Sequence, residues 1–225
     1  MPYRLLARAA SRATGRLGWL RGAAGAFLGI ALAALAGRAL VAALPAFPWL
    51  VAPVGASAVL VFAVPASPLA QPWPVIGGSL LSALSGLCAH ALLGDPLPAA
   101  ALAIGLAIAV MSLARCLHPP GGACALLGAM AGPAVAAHGW GALLGPLALN
   151  LAALAFVGWL YNSATGHRWP HHLPAPLPPS ATRYRPEDLD AVLEEWDEVL
   201  DVSREDLDAL FRAVERRVTQ RNAAR

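Results

Sequence analysis

The sequence predicts an all-α integral membrane protein of about six hydrophobic segments, arranged as two three-segment repeats and followed by a helical tail. Three observations carry this. First, 58% of the 225 residues are hydrophobic and mean hydropathy is +0.59. Second, charge leaves the middle of the chain: only Arg38, Asp95 and Arg115 fall between Gly22 and Thr165, whereas twelve of the 13 acidic residues follow Pro186. A soluble core of that length without surface charge would not stay in solution. Third, a long–short–long pattern of apolar segments occurs twice. The net charge of +3 averages a basic head, a neutral middle and an acidic tail, so it makes no case for nucleic acid. Cys88, Cys116 and Cys124 lie in or beside apolar runs, which argues against a secreted disulfide framework.

Taken in order, residues 1–21 form a basic amphipathic head. Arg4, Arg8, Arg12 and Arg16 recur every four residues and make one stripe on a helix, with no acid among them. This reads as a lipid-surface segment that obeys the positive-inside rule and sets the termini in the cytoplasm. Residues 22–162 form the membrane region, with repeats at about 22–94 and 95–162. The first span, Gly22 to Leu44, contains Arg38 and ends at Pro45 and Pro48. Val51 to Val64 is apolar but short, and opens with Pro53, Val54, Gly55, Ala56 and Ser57. Pro74 to Leu93 is long and ends at Gly94-Asp95-Pro96. Leu97 to Leu117 follows, then the short Gly121 to Val135, then Trp140 to Tyr161. Trp49, Trp73, Trp159, Tyr161 and Trp169 suit an interfacial aromatic belt.

The repeat is visible at an offset of 67 residues, which carries Pro53 onto Pro120, Gly55 onto Gly122, Ala56 onto Ala123, Trp73 onto Trp140, Gly78 onto Gly145 and Leu84 onto Leu151. Two topologies are open. Short segments that cross give six spans; short segments that re-enter give four spans and two half-helices. Either way the termini share a side. A helix of about 15 residues reaches only ~22 Å, short of the ~30 Å hydrocarbon core. Flanking apolar residues extend both segments, which favours six.

Repeats with short, Pro/Gly-interrupted segments at matching positions point to a transporter site. The sharpest break is Arg115-Cys116-Leu117-His118-Pro119-Pro120-Gly121-Gly122-Ala123. Its prolines remove donors and its glycines permit close approach, a combination tolerated at membrane depth only where protein or water satisfies the backbone. A half-helix starting at Gly121 or Gly122 is expected to present free N–H groups to an anion. The same holds near Gly55, Ala56 and Ser57. Arg38 and Arg115 have only Asp95 available as an acid within the membrane part, which favours a bound anion over a cation. Snorkelling is the plain alternative for both arginines. His118 is either an ionisable site residue or a hydrogen-bond partner for a broken carbonyl. Asn150 either bonds between helices or lines a cavity. Cys116, His118 and Cys124 match no metal-ligand spacing, His167, His171 and His172 read as an interfacial cluster, and no nucleophile–base set is apparent. No metal or cofactor is expected.

The tail begins with a proline-rich linker over 163–186 and continues as an acidic amphipathic helical segment over 187–225. Leu189, Val192, Leu193, Trp196, Val199 and Leu200 follow helical spacing. Ser203 and Asp206 form a second helix start, with Leu207, Leu210, Phe211 and Val214 on its face. Apolar faces without a core of their own, and Gly- and Ala-rich spans, predict a homo-oligomer assembled through spans and tail.

The stretch Arg115 to Ala123, with its His-Pro-Pro tripeptide, resembles the signature of the HPP family of integral membrane proteins. Ala52 to Phe62 and Pro68 to Trp73 are similar to that family's other shared block. Asp201 to Leu210 resembles the linker that in bacterial members leads into a pair of CBS regulatory modules, which this sequence does not contain. The resemblance implies a bacterial inner-membrane location and, from plastid and cyanobacterial-type members, nitrite transport. The expectation is a transporter or channel for a small monovalent anion. Arg115, His118, Pro119, Pro120, Gly121, Gly122 and Ala123 form one half of its site; Arg38, Pro53, Gly55, Ala56 and Ser57 form the other, with Asn150 beside them. The alternative is a non-transporting membrane sensor or scaffold whose tail binds a partner or regulatory domain.

Overall fold

The computed structural model describes residues 2–43, 48–171, 184–196 and 202–223, and every regular element among them is helical. They group into two compact units, residues 1–170 and 171–225. Half of the proline-rich linker, residues 172–183, lies outside the described residues.

In the first unit, α1 runs unbroken over Pro2–Ala43. The basic head and the first span are therefore one helix, not two segments joined at Arg21. Nothing from Tyr3 to Ala43 breaks it, and Ala, Leu and Arg are strong helix formers. Next come the short α2 (Pro53–Ala63), a 3-10 turn at Pro68–Ala70, and a π turn at Pro74–Gly78 that runs into α3 (Ser79–Leu93). The Asp95 carboxylate accepts the Leu97 N–H at 2.9 Å and starts α4 (Pro96–Leu113). Short helices α5 (Gly121–Met130) and α6 (Gly132–His138) precede the long α7 (Gly141–Ala164). Four stretches are long and apolar enough to cross a membrane: Gly18–Leu40, Pro74–Leu93, Pro96–Leu113 and Gly141–Ala164. The repeat offset survives folding: the long helices of both repeats begin immediately after Trp73 and Trp140, and the short ones begin at Pro53 and just after Pro120.

Hydrogen bonds fix the direction of each crossing. The Tyr161 hydroxyl donates to the Arg21 carbonyl at 2.9 Å, so the end of α7 lies beside the start of the apolar part of α1. Eleven residues back along α7 and twelve on along α1, roughly 17 Å, Asn150 reaches the Ala33 carbonyl. The two helices are thus antiparallel, and both ends of the unit emerge at one end of the bundle. Helix α2 starts beside Asn150 and finishes with its Val61 and Phe62 carbonyls beside Asn162 and Arg21. It therefore returns the chain to the end of the bundle where the apolar part of α1 started. From there α3 climbs and α4 descends to Ala114, whose carbonyl accepts the Trp73 indole N–H at 3.0 Å. Helix α5 climbs beside α3, and α7 descends.

Small residues let α3 and α5 touch through their backbones. A β-carbon on Gly86 would collide with the Ala125 carbonyl, and one on Gly128 with the Ala83 carbonyl. This is the close approach that membrane helices use for packing. Trp169 departs from the expected aromatic belt. It is buried, and its indole N–H donates to the Ala70 carbonyl at 3.0 Å, because a buried indole needs an acceptor and the Pro68–Ala70 turn offers one. Trp49, Trp73 and Trp159 are exposed.

In the second unit, α8 (Pro186–Trp196) and α9 (Arg204–Ala223) lie close to the expected segments. The predicted cap is present: the Asp206 N–H donates to Ser203 Oγ at 3.0 Å, and the Ser203 hydroxyl donates back to the Asp206 carboxylate at 2.6 Å. Tyr184 stacks on Phe211 and donates its hydroxyl to Asp208 at 2.9 Å. Burial and that carboxylate push the Tyr184 phenol up to about 12. The Arg212 guanidinium, bonded at 2.8 Å, holds the Asp208 carboxyl below its usual range. A depressed carboxyl stabilises the fold above its unfolded pKa and loses that contribution as pH falls through the lower folded value. Protection of α9 amides against hydrogen exchange should therefore hold at neutral pH and weaken below about pH 4. Unchanged protection there would show that Asp208 contributes nothing to α9.

Candidate functional site

His118 is the best-defined group at the break. Its side chain is fully buried. Nδ1 lies 2.8 Å from the Leu69 carbonyl and Nε2 lies 2.9 Å from Ser57 Oγ. A carbonyl only accepts, so Nδ1 carries a proton; in the neutral ring Nε2 then accepts from the Ser57 hydroxyl. The break of the second repeat is thereby tied to α2 and to the 3-10 turn of the first. Ser57 and His118, 61 positions apart, are the two expected site residues that the fold brings together directly. The Ser57 hydroxyl is enclosed, with the Pro53 carbonyl 3.4 Å away, and the pair joins one repeat to the other.

The start of α5 differs from the expectation of free donors. The Gly121 N–H bonds to the His118 carbonyl at 2.7 Å and the Gly122 N–H to the Pro119 carbonyl at 3.0 Å. The turn that the two prolines enforce folds those carbonyls back onto the helix. Pro120 and Gly121 are buried, Gly122 is half-buried against Ile104, and Pro119 and Ala123 are exposed. At α2, the Val54 and Gly55 N–H groups bond to the Val51 and Ala52 carbonyls at 3.0 Å each. Pro53 and Ser57 are buried, whereas Gly55 and Ala56 are exposed. Gly55 borders an open apolar groove of about 470 Å³ that Phe27, Ile30, Trp49 and Ala58 also line.

Asn150 is wholly occupied. Its amide donates to the carbonyls of Ala33 at 3.1 Å and Trp49 at 3.3 Å, and its oxygen accepts the Val51 N–H at 2.9 Å. It satisfies the backbone entering α2, as irregular chain inside a bundle requires. Arg38 and Arg115 are not brought together. Arg38 is exposed about 25 Å along α1 from Arg21. Arg115 is exposed at the other end, next to the Ala114–Trp73 bond, with φ +51.

Two residues that sequence reasoning passed over complete the other end of α2. Asn162, fully buried, donates to the Val61 carbonyl at 2.9 Å and accepts from Arg21 at 2.8 Å. The second Arg21 nitrogen donates to the Phe62 carbonyl at 2.6 Å. A cation and an amide thus cap the last-turn carbonyls of a helix that ends among protein. Among the described residues no three His, Cys, Asp or Glu gather around a common point.

Comparison with known proteins agrees with this architecture. A family model described as "HPP, transmembrane region" matches residues 12–170. Two transmembrane proteins of Dictyostelium discoideum are similar over shorter stretches. One is 45% identical over 82 residues, 35% of this chain and 29% of the relative. The other is 45% identical over 76 residues, 32% of this chain and 24% of the relative. The chain thus spans less than a third of the length of either. No solved structure matches.

Proposed function

We propose, from the premise that this membrane protein belongs to the HPP transmembrane family, that it passes a small monovalent anion, nitrite as first guess, between its two repeats. One observation carries the reading. Two short helices from opposite repeats begin inside the bundle and meet through Ser57 and His118. Arginines stand toward opposite ends, and the lone acid of the membrane part, Asp95, is engaged in capping α4. Arg38 and Arg115 concentrate anions at the two mouths. Passage requires the Ser57–His118 bond to open and needs no covalent step, cofactor or metal. Both termini then face the cytoplasm from a bacterial inner membrane, as the basic stripe of the head favours.

The packing of the break supports a second reading. His118 and Gly121 are buried, as in a non-transporting sensor or scaffold that works through its tail. Uptake by liposomes holding the purified protein separates the two. Nitrite uptake should be saturable and exceed that of formate, nitrate and chloride. Arg115→Ala should lower it by about tenfold at low salt, with the difference shrinking as salt screens the charge. A folded protein that moves none of these anions is a scaffold.

A further inference from the structure

Ser82 lies on α3, fully buried, with no hydrogen-bond partner for its hydroxyl. A helical serine ordinarily bonds back to the carbonyl four residues earlier, as Ser85 does to Leu81 at 2.8 Å. Ser82 instead points at the first turn of α5. Its Oγ lies 2.6 Å from the place a β-carbon on Gly121 would take. Ser79, one turn earlier, is equally buried beside the Cys124 thiol, a weak partner. In the first turn of α5, the Ala123 N–H has no backbone acceptor among the described residues.

A buried, unpaired hydroxyl carries the full cost of its desolvation. Folded proteins keep few such groups, and each calls for a use. Here the unpaired donor and a helix N-terminus converge from two elements, with no carboxylate near them in sequence. Donors without counter-charge suit an acceptor that is small and singly negative. Gly121 fits the same account, because any side chain there would fill the space that Ser82 reaches into.

We propose that the Ser82 hydroxyl, with Ser79 behind it and the first turn of α5 in front, binds a small oxyanion on the path between the repeats. The inference deepens the transport reading and rests on it for the identity of the ion. It places the binding step beside the Ser57–His118 bond, one turn into the bundle from Arg115. Displacement of α5 by a small amount opens the site, since the Gly121 contact is what closes it.

The test compares the full chain with Ser82→Ala and Ser79→Ala in nanodiscs, reading the thermal midpoint with and without nitrite, and in liposomes, reading uptake. Without nitrite the Ser82→Ala midpoint should equal or exceed that of the parent, because the lost hydroxyl had no partner. The upward shift that nitrite gives the parent should disappear, and KM for uptake should rise by about tenfold, the worth of one hydrogen bond to a charged group. A lower midpoint without nitrite would make the hydroxyl structural and overturn the proposal. So would a parent that transports and a variant indistinguishable from it, with the transport reading intact. A parent that moves no anion, yet is stabilised by nitrite through Ser82, would overturn transport and keep the site. Neither flux nor stabilisation in the parent would remove both.

Discussion

Gly86→Ala should destabilise this protein strongly, against the ordinary preference of a helix for alanine. Alanine normally stabilises a helix by about 1 kcal/mol over glycine. At Gly86 the added carbon meets the Ala125 carbonyl, with the Ala129 nitrogen 2.8 Å away. Both obstacles are backbone, so no rotamer change relieves them; α3 and α5 must separate. That separation also loosens the reciprocal contact of Gly128 with the Ala83 carbonyl. Overpacking of this kind costs roughly 1–3 kcal/mol or more, which for a chain of this size lowers the thermal midpoint by about 2–4 °C per kcal/mol. We expect a fall approaching 10 °C by that conversion. Gly105→Ala on α4 is the control, since nothing lies within 4 Å of its added carbon; its midpoint should hold or rise slightly. Equal behaviour of the two variants would show that α3 and α5 do not meet as closely as their glycines imply.

Much of this fold could be read from residue order. The offset that matched Trp73 with Trp140 marks the start of the second long helix in both repeats. Ser203 and Asp206 announced their cap by spacing alone. Such features are local, and local rules find them. The pairings that organise the interior are not local. Arg21 looked like one more member of a basic head, yet its partners stand 41 and 141 positions away. Trp169 looked interfacial because it follows the last span, but the chain turns back and buries it on Ala70. Ser82 carried no signal at all, being one small polar residue among many in an apolar run. What betrays it is a missing partner, which only packing reveals.

The break itself shows how the same residues serve two arguments. Proline and glycine were expected to expose donors. The prolines also shape a turn that returns carbonyls to Gly121 and Gly122, so the backbone is largely self-satisfied. The remaining polarity sits on side chains: Ser57, His118, Ser79 and Ser82. A pathway through this bundle would therefore be lined by neutral hydroxyls and an imidazole, with arginines confined to its ends. That arrangement favours weak binding and ready release over tight capture, as passage requires.

Loss of Arg21 should be strongly damaging outside the α3–α5 contact. Arg21→Leu removes the donors to Phe62 O, Asn162 Oδ1 and, at 3.3 Å, Thr165 Oγ1. It leaves the Phe62 carbonyl in the last turn of α2 without its side-chain partner, where lipid and protein offer little water. Hydrogen bonds to a charged group contribute about 1.5–3 kcal/mol each, whereas neutral interhelical bonds in a membrane average nearer 0.6 kcal/mol. The charged bonds decide the outcome, and a loss of about 3 kcal/mol is expected. Asn162→Leu breaks a different part of the clamp: the Val61 carbonyl loses its side-chain donor, and one Arg21 nitrogen keeps only its longer bond to Thr165. Because the residues share a bond, their effects should not add. The double variant should fall short of the sum of the singles by roughly 1–2 kcal/mol, within the range seen for directly coupled neighbours. Equilibrium unfolding of the four proteins measures that difference. Simple additivity would mean that Arg21 and Asn162 hold α2 independently. Anion uptake offers the complementary reading. A cap on α2 that stands about a full turn or more from Ser57 should change the amount of folded protein, not KM. A shift in KM would draw Arg21 into the path of the ion.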